Sequence, residues 1–282
     1  MNTTVPDFPT NHTVIGHVGG YYGGKVLICR GAAYYQNSLM GKSVCFFWTP
    51  GDPSWVSAPN LRTGRTSGAS AEVPGLGLVV TGGYDSLGLP LGSAEVFDGS
   101  DWRELTVTHE PVYDHCVASI KESMLMLTGG KRPSMYSALS QAVVLWLDSG
   151  ETKDMPDMTS ARAKHGCAMT EQGYVVAGGF GLGGNQLDTV ELFTFLTLSG
   201  TQRGFWQPLT SLPRARGSPG VVYSHKQLLV VGGQVDISQD CPLTLSYNWN
   251  LLRWEEWGNF NNTRRLGHVT VHIQSTDSLG NT

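Results

Sequence analysis

Short apolar runs that end on paired glycines recur along this chain. Leu78-Val-Val-Thr closes on Gly82-Gly83, Met124-Leu-Met-Leu-Thr on Gly129-Gly130, Tyr174-Val-Val-Ala on Gly178-Gly179, and Leu228-Leu-Val-Val on Gly232-Gly233. Lys25-Val-Leu-Ile-Cys is a degenerate copy, closed by Arg30-Gly31. The second glycines of the five copies stand 52, 47, 49 and 54 residues apart. An apolar run of this length suits a strand buried on both faces. A glycine pair suits a backbone that turns sharply and approaches a neighbour closely. The stretch from Arg162 to Arg216 shows the unit whole, with its doublet strand followed by Thr189-Val-Glu-Leu-Phe193, Phe205-Trp206-Gln-Pro-Leu and a closing Leu212-Pro-Arg-Ala-Arg216. Four strands repeated at a period near 50 are the sequence sign of a propeller blade.

The apolar run, the glycine pair, a later aromatic and then a Trp resemble the kelch repeat, and the resemblance covers nearly the whole chain. The fold it implies is all-β: a kelch-type β-propeller, one domain over 1–282. It would have five complete four-stranded blades (12–65, 66–112, 113–162, 163–216 and 217–265) plus a partial sixth blade formed from the chain ends, 1–11 and 266–282. In the first blade the inner strand is expected over Val14 to Val18. Val5-Pro-Asp-Phe-Pro matches Met155-Pro-Asp-Met-Thr, the tail of the third repeat, so the chain reads as beginning inside the tail of a preceding blade. A closed five-bladed ring is the competing account. The third repeat lacks the late Trp and has Glu151-Thr-Lys-Asp154 there, and the fifth offers either Trp254 or Trp257. Trp102 and Trp206 are expected to be largely buried between blades.

The 282 residues are enough for a sizeable core, and 36 glycines with only 15% charged residues suit short strands and tight turns. A net charge of −4 gives no basic surface, so nucleic acid is not an expected partner. No run approaches the 18 or so apolar residues of a membrane helix. The first twenty residues show neither a charged n-region nor an apolar h-region.

The five cysteines are an odd number. Cys29 ends the second strand of the first repeat and Cys45 lies in the third. If the two are in register, the Cα spacing of antiparallel neighbours allows a disulfide, and the alternative is two unlinked thiols. Secreted kelch proteins often place cysteines this way, so the resemblance favours an extracellular parent protein, with a cytoplasmic one as the alternative. Cys116 and Cys167 occupy matching positions on the first strands of adjacent repeats and are expected to pack as small buried hydrophobes. Cys241 has no obvious partner. Possible N-glycosylation sequons start at Asn2, Asn11 and Asn261.

Arg65, Arg162, Arg216 and Arg265 recur at the starts of first strands, and the simplest role for each guanidinium is to satisfy carbonyls or carboxylates between blades. His17, His115, His165 and His268 fall nearby, and local hydrogen bonding is their expected role. No nucleophile elbow, Cys-x-x-Cys pair or His-Glu-x-x-His helix is present, and Gly181-Leu-Gly-Gly has no helix to receive a phosphate. The reading is therefore no catalytic residues, no metal site and no cofactor. Variable loops on a regular scaffold are where binding usually resides. In kelch proteins the loops after the doublets and the starts of the first strands line one face. By that resemblance the binding candidates are Tyr84, Asp85, Tyr113, Lys131, Arg132, Lys164, Phe180 and Gln234. The expected function is a non-catalytic module that binds a protein partner through this loop face. The alternatives are an extracellular glycan-binding propeller, whose exposed aromatics would stack on sugars, or an enzyme resembling the copper radical oxidases, which need a tyrosine cross-linked to a cysteine.

Overall fold

The computed structural model describes residues 5–9, 14–33, 42–134, 137–198, 201–236 and 239–259. The glycine doublets organise five antiparallel four-stranded blades, each running in sequence order from an inner to an outer strand. Blade 1 comprises Val18–Tyr22, Lys25–Cys29, Cys45–Trp48 and Val56–Ala58. Blade 2 comprises Ala69–Val73, Gly77–Thr81, Ser93–Phe97 and Trp102–Thr108. Blade 3 comprises Cys116–Lys121, Met124–Thr128, Ala142–Trp146 and Thr152–Met155. Blade 4 comprises Gly166–Met169, Tyr174–Ala177, Val190–Leu198 and Thr201–Leu209. Blade 5 comprises Gly220–Ser224, Gln227–Val231, Leu243–Asn248 and Arg253–Asn259. The architecture is all-β, as the repeat implies.

The apolar second strands lie between neighbouring blades and are buried on both faces. Leu78, Val79 and Val80 are wholly buried, as are Tyr174, Val175 and Val176. Each face packs on a different neighbour: Val79 joins Leu125 and Leu145 of blade 3, whereas Leu78 and Val80 join Leu27 and Val18 of blade 1. The doublets turn as glycine permits. Gly82, Gly129, Gly178 and Gly232 share φ values of 59–63°, and a Cβ on Gly129 would stand 2.2 Å from the Arg162 carbonyl.

One strand departs from expectation. The inner strand of blade 1 is Val18–Tyr22 and not Val14 to Val18; Val14–Ile15 pairs instead with Ala32–Ala33. The two-residue turn Gly23-Gly24, with φ of 56° and 82°, sets this register by pairing Tyr22 with Lys25 and so Val18 with Cys29.

The outer aromatics fasten neighbouring blades. The indole N–H of Trp102 donates to the Pro59 carbonyl at 3.0 Å, that of Trp206 to Pro156 at 2.7 Å, and that of Trp254 to Thr210 at 2.8 Å. Trp254 is thus the fifth-repeat equivalent, and Trp257 is exposed. Trp102 is fully buried, whereas Trp206, which meets Phe193 and Tyr174 edge to face, is only half-buried. Trp55 makes the same bond to Pro6 at 3.0 Å, and Phe8 packs edge-on against Phe46 and Trp55. Residues 5–9 therefore sit against blade 1 as the tail of one blade sits against the next, though they form no strand. The partial sixth blade is not established: residues 1–4 and 266–282 lie outside the described residues, as do Arg265, His268 and the sequons at Asn2, Asn11 and Asn261.

Candidate functional site

A belt of backbone hydrogen bonds runs around the axis, one residue per blade. The N–H of Ser67 donates to Gly16 at 2.9 Å, Asp114 to Ser67 at 2.8 Å, Lys164 to Asp114 at 2.7 Å, and Ser218 to Lys164 at 2.9 Å. All five belt residues have φ between 50° and 63°, a left-handed conformation that only the first, Gly16, adopts without steric cost. Among the described residues no bond from Gly16 to Ser218 closes the belt. Below it the inner strands of all five blades surround an axial cavity of about 650 Å³.

The loops after the doublets are held at this end by single bridges to the residue just before each belt position. Thr66 pairs with Tyr84, Tyr113 with Lys131, Ala163 with Phe180, and Gly217 with Gln234. Tyr84, Lys131, Phe180 and Gln234 thus occupy one repeat position in four blades, and Tyr113 and Lys164 stand beside them. Lys164, Phe180 and Gln234 line the axial cavity itself. Tyr84 and Tyr113 form a ring pair with centroids 4.4 Å apart, in which Tyr113 is buried and Tyr84 half-buried. Phe180 leans over Gly217, where a Cβ would meet its ring at 2.1 Å.

Two candidates behave differently. The Asp85 carboxylate turns back on its own loop, accepting the N–H groups of Leu87 and Leu89 at 2.8 and 2.7 Å. Arg132 leaves the rim and enters the junction between blades 2 and 3, where it bonds Gln141 and Glu110. Sequence reading missed Ser67, Asp114 and Ser218. The usable signal was their position two residues after Arg65, Val112 and Arg216. Burial raises the Asp114 carboxyl above its ordinary value, and the charges of Lys164 and Lys131 pull it partly back. Lys164 stands 3.9 Å from that carboxylate.

Five of the recurring arginines and histidines are bonded within the scaffold. Arg65, Arg162 and Arg216 are fully buried and bond the carbonyls of Gly82, Gly178 and Gly232 at 2.9, 2.8 and 3.0 Å. The Nε2 atoms of His115 and His165 bond the hydroxyls of Thr81 and Thr128 on the preceding blades at 2.8 and 2.9 Å. Among the described residues no group of three or more His, Cys, Asp or Glu could hold a metal ion. No described helix is long and apolar enough to cross a membrane.

Cys29 and Cys45 stand directly opposite in register and are joined as a disulfide, with Cα atoms 4.0 Å apart. The expectation for Cys116 and Cys167 was wrong. They are not merely buried hydrophobes but a second disulfide, with Cα atoms 6.0 Å apart. Matching positions on adjacent inner strands converge toward the axis, which brings two residues 51 apart in sequence within bonding distance. Cys241 is the free cysteine.

Five repeat-built blades around one axial cavity define a kelch-type β-propeller. The relatives agree. The chain is 27% identical to Kelch-like protein 34 of Homo sapiens over 144 residues, 47% of this chain and 21% of that protein. It is 28% identical to Beta-scruin of Limulus polyphemus over 152 residues, 51% of this chain and 16% of that protein. The matches span about a fifth or less of each relative's length. A solved structure described as the structure of YjhT superposes with a TM-score of 0.69, covering 89% of this chain and 86% of that one, at 13% sequence identity, a likeness of fold alone. No protein-family model matches the chain.

Proposed function

We propose that this propeller is a non-catalytic module that binds a protein partner across the belt end of the axial cavity. The observation that carries the reading is the convergence of Tyr84, Lys131, Phe180 and Gln234 at one repeat position around a single opening, with Lys164 exposed beside them. Such a surface offers the aromatic area that interface centres use, with lysines and an amide of the kind found at a polar rim, on a rigid scaffold. The likeness to Kelch-like protein 34 and Beta-scruin supports a binding role. Two cysteine pairs at disulfide distance support an extracellular setting for the parent protein. A protein surface is favoured over a glycan site because Tyr113 is buried and Phe180 spends part of its ring on Gly217.

Site-directed photo-crosslinking tests this. A photoreactive residue at Tyr84 or Phe180 is expected to capture a discrete protein, and one at Leu251, exposed in a turn of blade 5, is not. The same capture from all three positions would sink the loop-face reading.

A further inference from the structure

Arginines plug three of the four junctions between consecutive blades. Between blades 1 and 2, Nη1 of Arg65 donates to the carbonyls of Gly82 and Ser93 at 2.9 and 3.3 Å, and Nη2 pairs with Glu95 at 2.7 Å. Between blades 3 and 4, Arg162 makes the same set with Gly178 at 2.8 Å, Thr189 at 3.2 Å and Glu191 at 2.5 Å. Between blades 4 and 5, Arg216 reaches Gly232 and Leu243 at 3.0 and 3.2 Å.

Backbone register identifies the matching residues at the blade 2–3 junction. The second glycine of each doublet donates its N–H to the end of its own blade: Gly130 to Arg162, Gly179 to Arg216, and Gly83 to Val112. Val112 therefore stands where the other junctions carry arginine. The first glycine donates to the start of the third strand: Gly82 to Ser93, Gly178 to Thr189, and Gly129 to Gln141. Val143, two residues after Gln141, thus matches Glu95 and Glu191. Both halves of the buried ion pair are valine here, and the space they leave is a cavity of about 230 Å³ bordered by Val112, Gly129, Gln141 and Val143. That is several times the ≈ 30 Å³ share of one liquid water.

The cavity carries carboxylate and carbonyl acceptors together with one buried donor that has no partner, Nε of Arg132. Glu110 and Asp154 contribute carboxylates, and among the described residues Arg132 is the only cation on its lining, so one negative charge is left over there. His109 binds the Glu110 carbonyl through Nδ1 at 2.8 Å, which makes Nδ1 the proton-bearing nitrogen. Its Nε2 is then a bare lone pair, buried and without a partner. Nδ1 of His115, a residue only 6% exposed, is also buried and unpartnered. Burial keeps both rings neutral, driving His115 down to about 3. An unpartnered buried polar atom is costly, so each such group needs a physical reason.

We infer that this cavity binds a guanidinium group supplied from outside the chain, by a small guanidine compound or by an arginine side chain of a partner. A guanidinium is planar with five N–H donors in fixed directions. It fits the Gly129 and Gln141 carbonyls as Arg65 and Arg162 fit theirs, and its charge balances Asp154. This site is separate from the belt-end surface and does not depend on it.

Methylguanidinium is the probe, followed by NMR of the folded chain up to about 20 mM, a range that resolves a millimolar Kd. Saturable shifts confined to blades 2 and 3 are expected, with methylammonium at least about tenfold weaker because it lacks the planar fork. V112R/V143E, which rebuilds the sister ion pair, is expected to abolish binding while leaving the fold intact. Asp154→Asn, on an exposed edge, is expected to weaken it about tenfold or more through the loss of a charge-assisted hydrogen bond. If acetyl-Gly-Arg-Gly-amide binds as well, the source is a partner's side chain; if only methylguanidinium binds, it is a small guanidine. The inference is overturned by the absence of saturable methylguanidinium binding, by equal binding of methylammonium, or by undiminished binding in folded V112R/V143E or in Asp154→Asn.

Discussion

The guanidinium of Arg162, at the end of blade 3, lies 2.5 Å from the carboxylate of Glu191 on the third strand of blade 4, and both groups are buried. Glu191 also accepts the N–H groups of Thr159 and Ser160 at 2.7 and 3.1 Å, so one carboxylate closes the chain end of one blade and holds the arginine of the junction. Removing one partner leaves the other charged and dry. Glu191→Leu is expected to cost roughly 3–5 kcal/mol, and Arg162→Met a similar amount. The double variant is expected to cost clearly less than their sum, because neither charge is then stranded. Urea unfolding midpoints of the three variants provide the measurement, and strict additivity would mean that the pair is not coupled.

The Cys116–Cys167 bridge makes a different link, between the inner strands of blades 3 and 4. It closes a span of 51 residues, for which the loop-entropy account gives about 4 kcal/mol. Non-reducing peptide mapping is expected to recover the 116–167 and 29–45 pairs, with Cys241 alone alkylated without reductant. Reduction should lower the unfolding midpoint, and Cys116→Ala/Cys167→Ala should reproduce most of that loss. Alkylation of Cys116 and Cys167 in the unreduced protein would refute the bridge.

Much of this fold was legible because its signal repeats. The apolar run marks all five blades, the glycine doublet four of them, and a buried arginine closes blades 1, 3 and 4, and the Cys29–Cys45 register follows from strand adjacency within one blade. What was not legible depends on how blades face one another. Cys116 and Cys167 look like equivalent core positions in a linear reading, and only convergence at the axis makes them partners. Blade 1 misled for a local reason: Val14–Ile15 reads as a strand, but the Gly23-Gly24 turn pairs the second strand with Val18–Tyr22, whose Gly19 and Gly20 lack the β-propensity that flags strands. The candidate face was legible as a set of loops. That Arg132 leaves it for the blade 2–3 cavity was not, because the cavity exists through what Val112 and Val143 lack.

Acid stability should reflect the inter-blade histidines. Burial drives His115 down to about 3 and His165 well below the usual 6.5. A depressed histidine means that the unfolded chain binds the proton more readily than the folded one. Stability is therefore fully present above about pH 6.5 and falls as the pH drops from there toward 3, each histidine contributing up to about 1.4 kcal/mol per pH unit. Asp114, raised by burial, works in the opposite sense. His115→Gln, which keeps a polar group near the Thr81 hydroxyl, is expected to flatten the urea-midpoint profile between pH 6.5 and 4.5. A profile with the wild-type slope would mean that His115 is not what titrates.

Arg216 is the exception among the buried arginines, and it allows the ion-pair argument to be run in reverse. Its position opposite the third strand is held by Leu245 and not by glutamate, and among the described residues no carboxylate pairs with it. The change is matched on the other side. Thr159, whose N–H caps Glu191, is replaced at the corresponding place by Pro213, which has no N–H to offer. Leu245→Glu would give Arg216 its carboxylate, at the loss of a buried leucine worth about 1.5–3 kcal/mol and with one capping donor missing. The expected net effect is within about 1 kcal/mol of the parent protein, since the new pair offsets most of the lost burial. In an Arg216→Met background the same Leu245→Glu change strands a buried carboxylate and is expected to cost roughly 3–5 kcal/mol. Chemical denaturation of the four proteins in this cycle decides the matter. An equal cost for Leu245→Glu in both backgrounds would show that the carboxylate never meets Arg216, and that the slot in blade 5 is shaped differently from its sisters in blades 2 and 4.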